Sequence, residues 1–199
     1  LMERQVKTLF GDDESDQLFD FAKQSQISQA EAKKFFIERF RISKWRRTGI
    51  IWWNLIDGWP QISDAIVDYY YTKKLAYHYI KRSQNPVCLM FGEPVDNVIS
   101  LYGVNDTIYD VDVSYKVTDV IADGKVVLED KSILTGDTSL LINELTIDNN
   151  QKTFYLIEWE INGKSYKNHY FTNILDINYD TYMEAIRKCG FDEFEGFDE

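Results

Sequence analysis

The sequence predicts a mixed α and β chain: a helical first part holding one buried strand, then an antiparallel β-sandwich of immunoglobulin type with a short closing helix. Three observations predict it. Apolar residues recur at helical spacing on both sides of one continuous apolar run, Ile50–Leu55. Beyond Pro86 the period changes to alternation, as in Val111-Asp-Val-Ser-Tyr-Lys-Val-Thr-Asp119. Asp123-Gly124 and Asn162-Gly163 are the strongest short-range hairpin signals in the chain.

Taken in order, Asp16–Ser25 carries Leu18, Phe19 and Ala22 and predicts a short amphipathic helix. A second helix is expected to start at the capping box Ser28-Gln-Ala-Glu31, with Ala32, Phe36 and Phe40 as its buried stripe. The basic cluster Arg39, Arg41, Lys44, Arg46 and Arg47 lies toward the C-terminal end of that helix, where the dipole favours cations, and reads as solvated structure. Ile50–Leu55 follows Gly49, apolar on both faces, as strands of parallel sheets and barrels are. Lys73–Arg82 predicts a further helix with Leu75, Ala76, Tyr79 and Ile80 on one face. Helix, buried strand, loop and helix is the unit of an α/β barrel or a doubly wound sheet.

In the second part, strands are expected at Val98–Val104 and Val111–Asp119, with hairpins joining Tyr115–Ile121 to Lys125–Glu129 and Phe154–Ile161 to Lys164–Phe171. Asp180–Lys188 closes as a helix, with Asp180 as N-cap and Gly190 past its end. The expected divisions are 1–85, 86–191 and an acidic, frayed tail over 192–199.

Composition narrows the function. The chain has 199 residues, 44% hydrophobic and 28% charged, with 22 basic against 33 acidic side chains and a net charge of −11. Phosphate backbones and anionic membrane surfaces are attracted by positive fields, so neither nucleic acid nor a membrane is expected as partner. Cys88 and Cys189 make no disulfide framework and read as two buried thiols rather than one bridge. His78, His169 and the two cysteines are isolated, so no metal site is expected. No serine or cysteine nucleophile has a nearby histidine base, and no glycine-rich loop opens a helix. The chain opens Leu1-Met2; leucine is not an initiator, and part of a longer protein is expected. The compartment is left open.

Aromatic residues make up 15% of the chain, and Trp52, Trp53 and Trp59 crowd into Gly49-Ile-Ile-Trp-Trp-Asn-Leu-Ile-Asp-Gly-Trp-Pro60. They sit at the C-terminal end of the expected strand and in the loop after it, the end that carries the active site in α/β barrels. An indole face stacks on the C–H face of a pyranose, while neighbouring amides and carboxylates bind hydroxyls. From the residues alone, core packing of three large aromatics is the favoured reading.

This segment resembles the last barrel strand of glycoside hydrolase family 2, most closely its β-mannosidase branch. The resemblance is carried by Gly49, Trp53, Leu55, Asp57, Trp59, Pro60, Asp68 and Tyr69. Ser28–Arg39 and Lys74–Arg82 resemble the seventh and eighth barrel helices, and Asn105-Asp-Thr107 and Lys167–Phe171 resemble strands of the following sandwich. Ile56, Asn54 and Asp64 depart from the family's usual Asn, Gln and Trp, and the sugar, mannose against galactose or glucuronic acid, stays open.

The resemblance implies the last helix–strand–helix of a (β/α)8 barrel followed by the sandwich. It implies that Trp53 floors the sugar subsite nearest the cleaved bond, with Asn54, Asp57 and Trp59 beside it shaping the rim or holding the loop. It implies a retaining exo-glycosidase without cofactor, whose two catalytic glutamates come from the fourth and seventh strands. No Asn-Glu pair follows a buried strand before residue 49, and Glu3, Glu14, Glu31 and Glu38 belong to a start segment or to helices. The catalytic pair is therefore expected to lie outside this chain, and the chain alone to be inactive. Glycoside substrates and the rest of the barrel are the expected partners, with self-association of the lone chain as a further outcome. The alternative is a non-catalytic carbohydrate-binding or structural sandwich module, with Trp159 and Tyr102 as its stacking platform.

Overall fold

The structure, a computed structural model, describes residues 2–11, 15 and 17–197. Glu14 and Asp16, named above, and the last two residues of the acidic tail lie outside the described residues. Four helices and seven strands form in the described residues: α1 (Met2–Phe10), α2 (Leu18–Ile42), α3 (Leu75–Ser83), β1 (Val87–Phe91), β2 (Val98–Asn105), β3 (Val111–Asp119), β4 (Lys125–Leu134), β5 (Thr138–Thr146), β6 (Thr153–Ile161), β7 (Lys164–Thr172) and α4 (Tyr179–Cys189). They gather into two compact units that are discontinuous in sequence, whereas the sequence reading draws linear divisions. One unit comprises residues 1–37, 50–81 and 174–199, the other 38–49 and 82–173.

The second unit is a sandwich of two antiparallel sheets, ordered β1-β2-β5 and β4-β3-β6-β7. Compared with the immunoglobulin constant order, the fourth strand hydrogen-bonds to the third instead of joining the sheet of the first, second and fifth. Alternation places Val113, Tyr115 and Val117 of β3 inward, and Ile157 and Trp159 of β6 beside them. All five residues of β1 are buried. Its run Val-Cys-Leu-Met-Phe does not alternate, so no half-buried strand was legible there.

Gly103 of β2 is required by packing: a β-carbon there lies 2.9 Å from one methyl of Leu134 and nearer still to the other. The β6–β7 turn pairs Ile161 with Lys164, leaving Asn162 and Gly163 both at positive φ, as a two-residue type I′ turn demands.

Three members of the basic cluster near the end of α2, expected as solvated structure, pair with carboxylates of this unit. Arg39 pairs with Glu93 at 2.7 Å, Arg41 with Asp106 at 2.7 Å, and Lys44 with Asp106 and Asp137 at 2.8 Å each. Glu38 accepts from Asn168 Nδ2 at 2.8 Å and from the Ser83 hydroxyl at 3.3 Å.

Several expectations are corrected. Ser28 caps nothing: the two expected helices are one continuous α2, because no proline or glycine interrupts Leu18–Ile42. The buried stripe is Gln24, Ile27, Ala30, Lys34 and Ile37, while Phe36, Leu18 and Phe19 are exposed. Both sets keep helical spacing, and only the packing partner selects between them.

Ile50–Leu55 is no strand. Its Asn54 and Leu55 carbonyls accept from Ile66 and Val67 of its own returning loop, and Ile51, Trp53 and Leu55 are exposed. A strand of a closed barrel pairs with a strand on each side, and none adjoins this segment among the described residues. No barrel strand is formed, so of the expected fold class the sandwich and the flanking helices stand.

At the closing helix α4, Asn178 rather than Asp180 is the N-cap, accepting from Thr181 N, and Gly190 takes the left-handed conformation past the end. The tail is not frayed over 191–197. Phe191 is buried, and Phe194 and Phe197 pack edge-on at 6.0 Å.

Candidate functional site

The aromatic loop, residues 50–74, belongs to the first unit. Helix α2 holds it from one side. Gln26 Oε1 accepts from Leu75 N at 2.9 Å, Gln29 Nε2 donates to the Asp64 carbonyl at 2.7 Å, and Lys33 Nζ donates to the Trp53 carbonyl at 2.8 Å. These positions are spaced three and four apart, one face of one helix. The Lys33 ammonium also lies 5.0 Å from the centre of the Trp52 ring. Burial pushes the Lys33 amine below its ordinary value and the Lys74 charge adds to that, while Asp64 opposes it.

Within the loop, Asp57 is the anchor. Its side chain is fully buried. Oδ1 accepts from the Ser63 hydroxyl and from Gln61 Nε2 at 2.9 Å, and Oδ2 lies 3.7 Å from Lys74 Nζ. Ser63 Oγ in turn accepts from Ala65 N, and Lys74 Nζ donates to the Ser63 carbonyl. Burial acts to raise the pKa of Asp57. The Ser63 and Gln61 hydrogen bonds and the Lys74 ammonium outweigh it and hold the carboxyl below its ordinary value. A second carboxylate, Asp68, ties the return of the loop by accepting from Tyr70 N at 2.8 Å and Thr72 N at 2.9 Å.

These anchors set the aromatic rings outward. Trp53 is 78% exposed and Trp59 64%, and Tyr69, Tyr70 and Tyr71 are exposed as well. The core-packing reading of the tryptophans therefore fails for Trp53 and Trp59; Trp52 is half-buried. The peptide bond between Trp53 and Asn54 is cis, and Asn54 Nδ2 donates to the Ile56 carbonyl at 3.3 Å. Of the four expected site residues, Trp53 and Trp59 present surface, while Asp57 is engaged by its own loop. Asn54 is half-buried between them in sequence.

Sequence reasoning missed Gln29, Lys33, Gln61, Ser63 and Lys74. The spacing of Gln61 and Ser63 from Asp57 was the available signal, since short polar side chains just after an aspartate bond back to it. Nothing in sequence indicated that α2 lies under this loop.

Other candidates resolve structurally. Trp159 is 2% exposed and stacks on Tyr166 at 5.7 Å, so the platform of Trp159 and Tyr102 is not formed. Its indole fills the sandwich core because β6 alternates it inward with Ile157. Glu158 faces Lys167 across the hairpin and pairs with Lys116 at 3.1 Å. Glu31 accepts from the buried Tyr182 hydroxyl at 2.5 Å, which itself lies 3.1 Å from that of Tyr79. Cys88 and Cys189 are buried, and neither is in a disulfide among the described residues. Among the described residues no group of three His, Cys, Asp or Glu is placed to hold a metal ion, and no helix is long and apolar enough to cross a membrane.

No protein-family model matches the chain. Over 69 residues, 33% of its length, it is 39% identical to β-mannosidase B of Aspergillus niger, of which this covers 8%. A β-D-mannosidase from Dictyoglomus thermophilum matches 86% of the chain and 22% of its own length, with a TM-score of 0.74 and 24% identity. An exo-chitosanase from Amycolatopsis orientalis matches 84% of the chain and 21% of its own, with a TM-score of 0.63 and 19% identity. The solved structures share the fold. The resemblance to β-mannosidase-like glycoside hydrolases expected from the Trp-Pro loop is borne out. The chain spans about a fifth of the length of these solved structures and under a tenth of that of the curated relative.

Proposed function

We propose that this chain is the C-terminal part of a retaining exo-glycosidase of β-mannosidase type that acts on β-linked sugars. The catalytic glutamates are supplied from outside these 199 residues. Trp53 offers the sugar ring an indole wall, Trp59 shapes the rim, Asn54 contributes a polar group, and Asp57 keeps the loop in shape. One observation carries the reading: Trp53 and Trp59 stand exposed on a loop anchored by a buried carboxylate, in a chain whose fold matches a β-D-mannosidase over 86% of its length.

The chemistry fits this division of labour. Retaining hydrolysis needs two carboxylates about 5–5.5 Å apart, one protonating the leaving oxygen and one attacking the sugar carbon. Glu31 is taken up by Tyr182, and Glu38 by Asn168 and Ser83, which supports placing the pair elsewhere. An aromatic wall contributes by stacking against apolar ring faces, without proton transfer.

Glycoside substrates are the partners of the parent protein, and its barrel is the partner of this loop. The exposed Ile51, Leu55 and Ile62 support the second point, since single apolar side chains so fully wetted in one segment suit burial against further protein. Isolated, the chain is expected to self-associate through them, and a dilution-stable monomer in size-exclusion chromatography counts against that.

The test is hydrolysis of chromogenic β-mannoside, β-galactoside and β-glucuronide by the purified chain and by Trp53→Ala made identically. No turnover by either is expected. Turnover that vanishes in Trp53→Ala means a complete site within the chain and overturns the reading.

A further inference from the structure

His78 on α3 lies between two carboxylates of the segment that follows α4. Its Nδ1 is 3.5 Å from Glu193 Oε1 and its Nε2 is 3.4 Å from Glu195 Oε1. Glu195 also reaches the end of the aromatic loop, where Lys73 N donates to Oε2 at 3.1 Å and Lys73 Nζ lies 3.5 Å from Oε1. Aromatic packing seats the same segment. Phe191 is buried, Phe197 packs edge-on to Phe19 at 6.3 Å, and Lys23 lies over the Phe197 ring at 5.4 Å. Gly196, at φ 80°, passes close to the Thr72 methyl.

We propose that residues 191–197 form a strap across α3 and the end of the aromatic loop, and that His78 is its proton-dependent latch. Both ring nitrogens lie within ion-pair distance of a carboxylate, an arrangement that favours the imidazolium, which carries N–H on each nitrogen and a positive charge. The neutral ring keeps one N–H and turns a lone pair toward the other carboxylate. Among the described residues, the neighbouring charged and titratable groups are otherwise placed. Lys73 is shared with Glu195, the Tyr77 ring packs edge-on to the imidazole at 5.4 Å, and Lys74, Lys81 and Arg82 lie about one turn away along the helix. The latch is closed when His78 is protonated and loosens as pH rises through its titration. This inference is independent of the glycosidase reading, since it is read without any substrate.

Backbone hydrogen exchange over 191–197, corrected for intrinsic rates, tests it between pH 5.5 and 8. Protection in the native chain is expected to fall about two- to fivefold for each ion pair broken, the ordinary size of a part-exposed pair. The fall should vanish in His78→Gln and shrink in Glu193→Gln and Glu195→Gln. Nitrogen NMR of the native chain needs no variant. The chain has two histidines, and His169 is buried and stacked on Phe154 at 5.1 Å, so the His78 signals are separable. Both His78 nitrogens should be protonated at the low-pH end, and their titration midpoint should coincide with the loss of strap protection. Protection that ignores pH, or that keeps its pH dependence in His78→Gln, overturns the proposal, and so does His78 titrating without any change in the strap.

Discussion

Asp57 and Lys74 face each other at 3.7 Å across the base of the aromatic loop, joining its first third to the start of α3. The pair explains why so many exposed rings keep one arrangement. Polar anchoring, together with the buried Ala65 and Ile66, organises residues 53–74.

Removing that charge should loosen the loop. Asp57→Asn keeps the volume but weakens the bonds from Ser63 and Gln61 and leaves Lys74 without its counter-ion. A loss of about 1–3 kcal/mol is expected, the usual size for hydrogen bonds to a charged group. Thermal unfolding measures it, and an unchanged midpoint would contradict the anchoring role.

The acid limb follows from the same residue. The Asp57 carboxyl is held below its ordinary value in the folded chain, so its stabilisation is complete above the unfolded value of about 3.9 and is lost as pH falls through the lower folded value. Tryptophan emission followed below pH 5 should show this loss, and Asp57→Asn should flatten that limb.

Two tryptophans should behave oppositely. Trp53→Ala removes an exposed ring and should change stability by no more than about 0.5 kcal/mol. Trp159→Ala empties the sandwich core and should cost about 3–5 kcal/mol. Equal losses in denaturant melts would contradict these placements.

Gly103→Ala should cost about 1–3 kcal/mol, because the new methyl lies 2.9 Å from one terminal carbon of the buried Leu134 and nearer still to the other. Leu134→Ala made in the same chain should relieve the clash, so the double variant is less unstable than the two losses added. Simple additivity in chemical denaturation would rule out the contact.

Asn105→Asp should lose stability as pH rises. Asn105 Nδ2 donates to the Tyr109 and Leu134 carbonyls at 2.8 Å and 3.0 Å, while Oδ1 accepts from Thr107 N at 2.9 Å. A buried carboxylate facing two carbonyls resists ionisation, so its folded-state value is raised. The variant is then closest to the native chain below about pH 4 and falls further behind above it. Melting temperatures from pH 3.5 to 7 check the sign.

What the sequence by itself determined is local. The Asn162-Gly163 turn, the alternation of β3, the face of α3 and the glycine stop of α4 each rest on contacts within a few residues, so composition and period suffice to place them. Trp53 and Trp59 stood out in the sequence as candidates because large rings beside a Trp-Pro loop depart from any regular pattern. The tertiary structure alone decided three further matters. It chose the Gln24–Ile37 stripe of α2 over Ala32, Phe36 and Phe40, since both sets keep helical spacing and only a neighbour can select one. It left Ile50–Leu55 out of any strand, since strand pairing needs partners that hydrophobicity does not supply. And it brought Lys33 and Glu195 to the loop from distant points in the chain, where long-range contacts leave no local period to read.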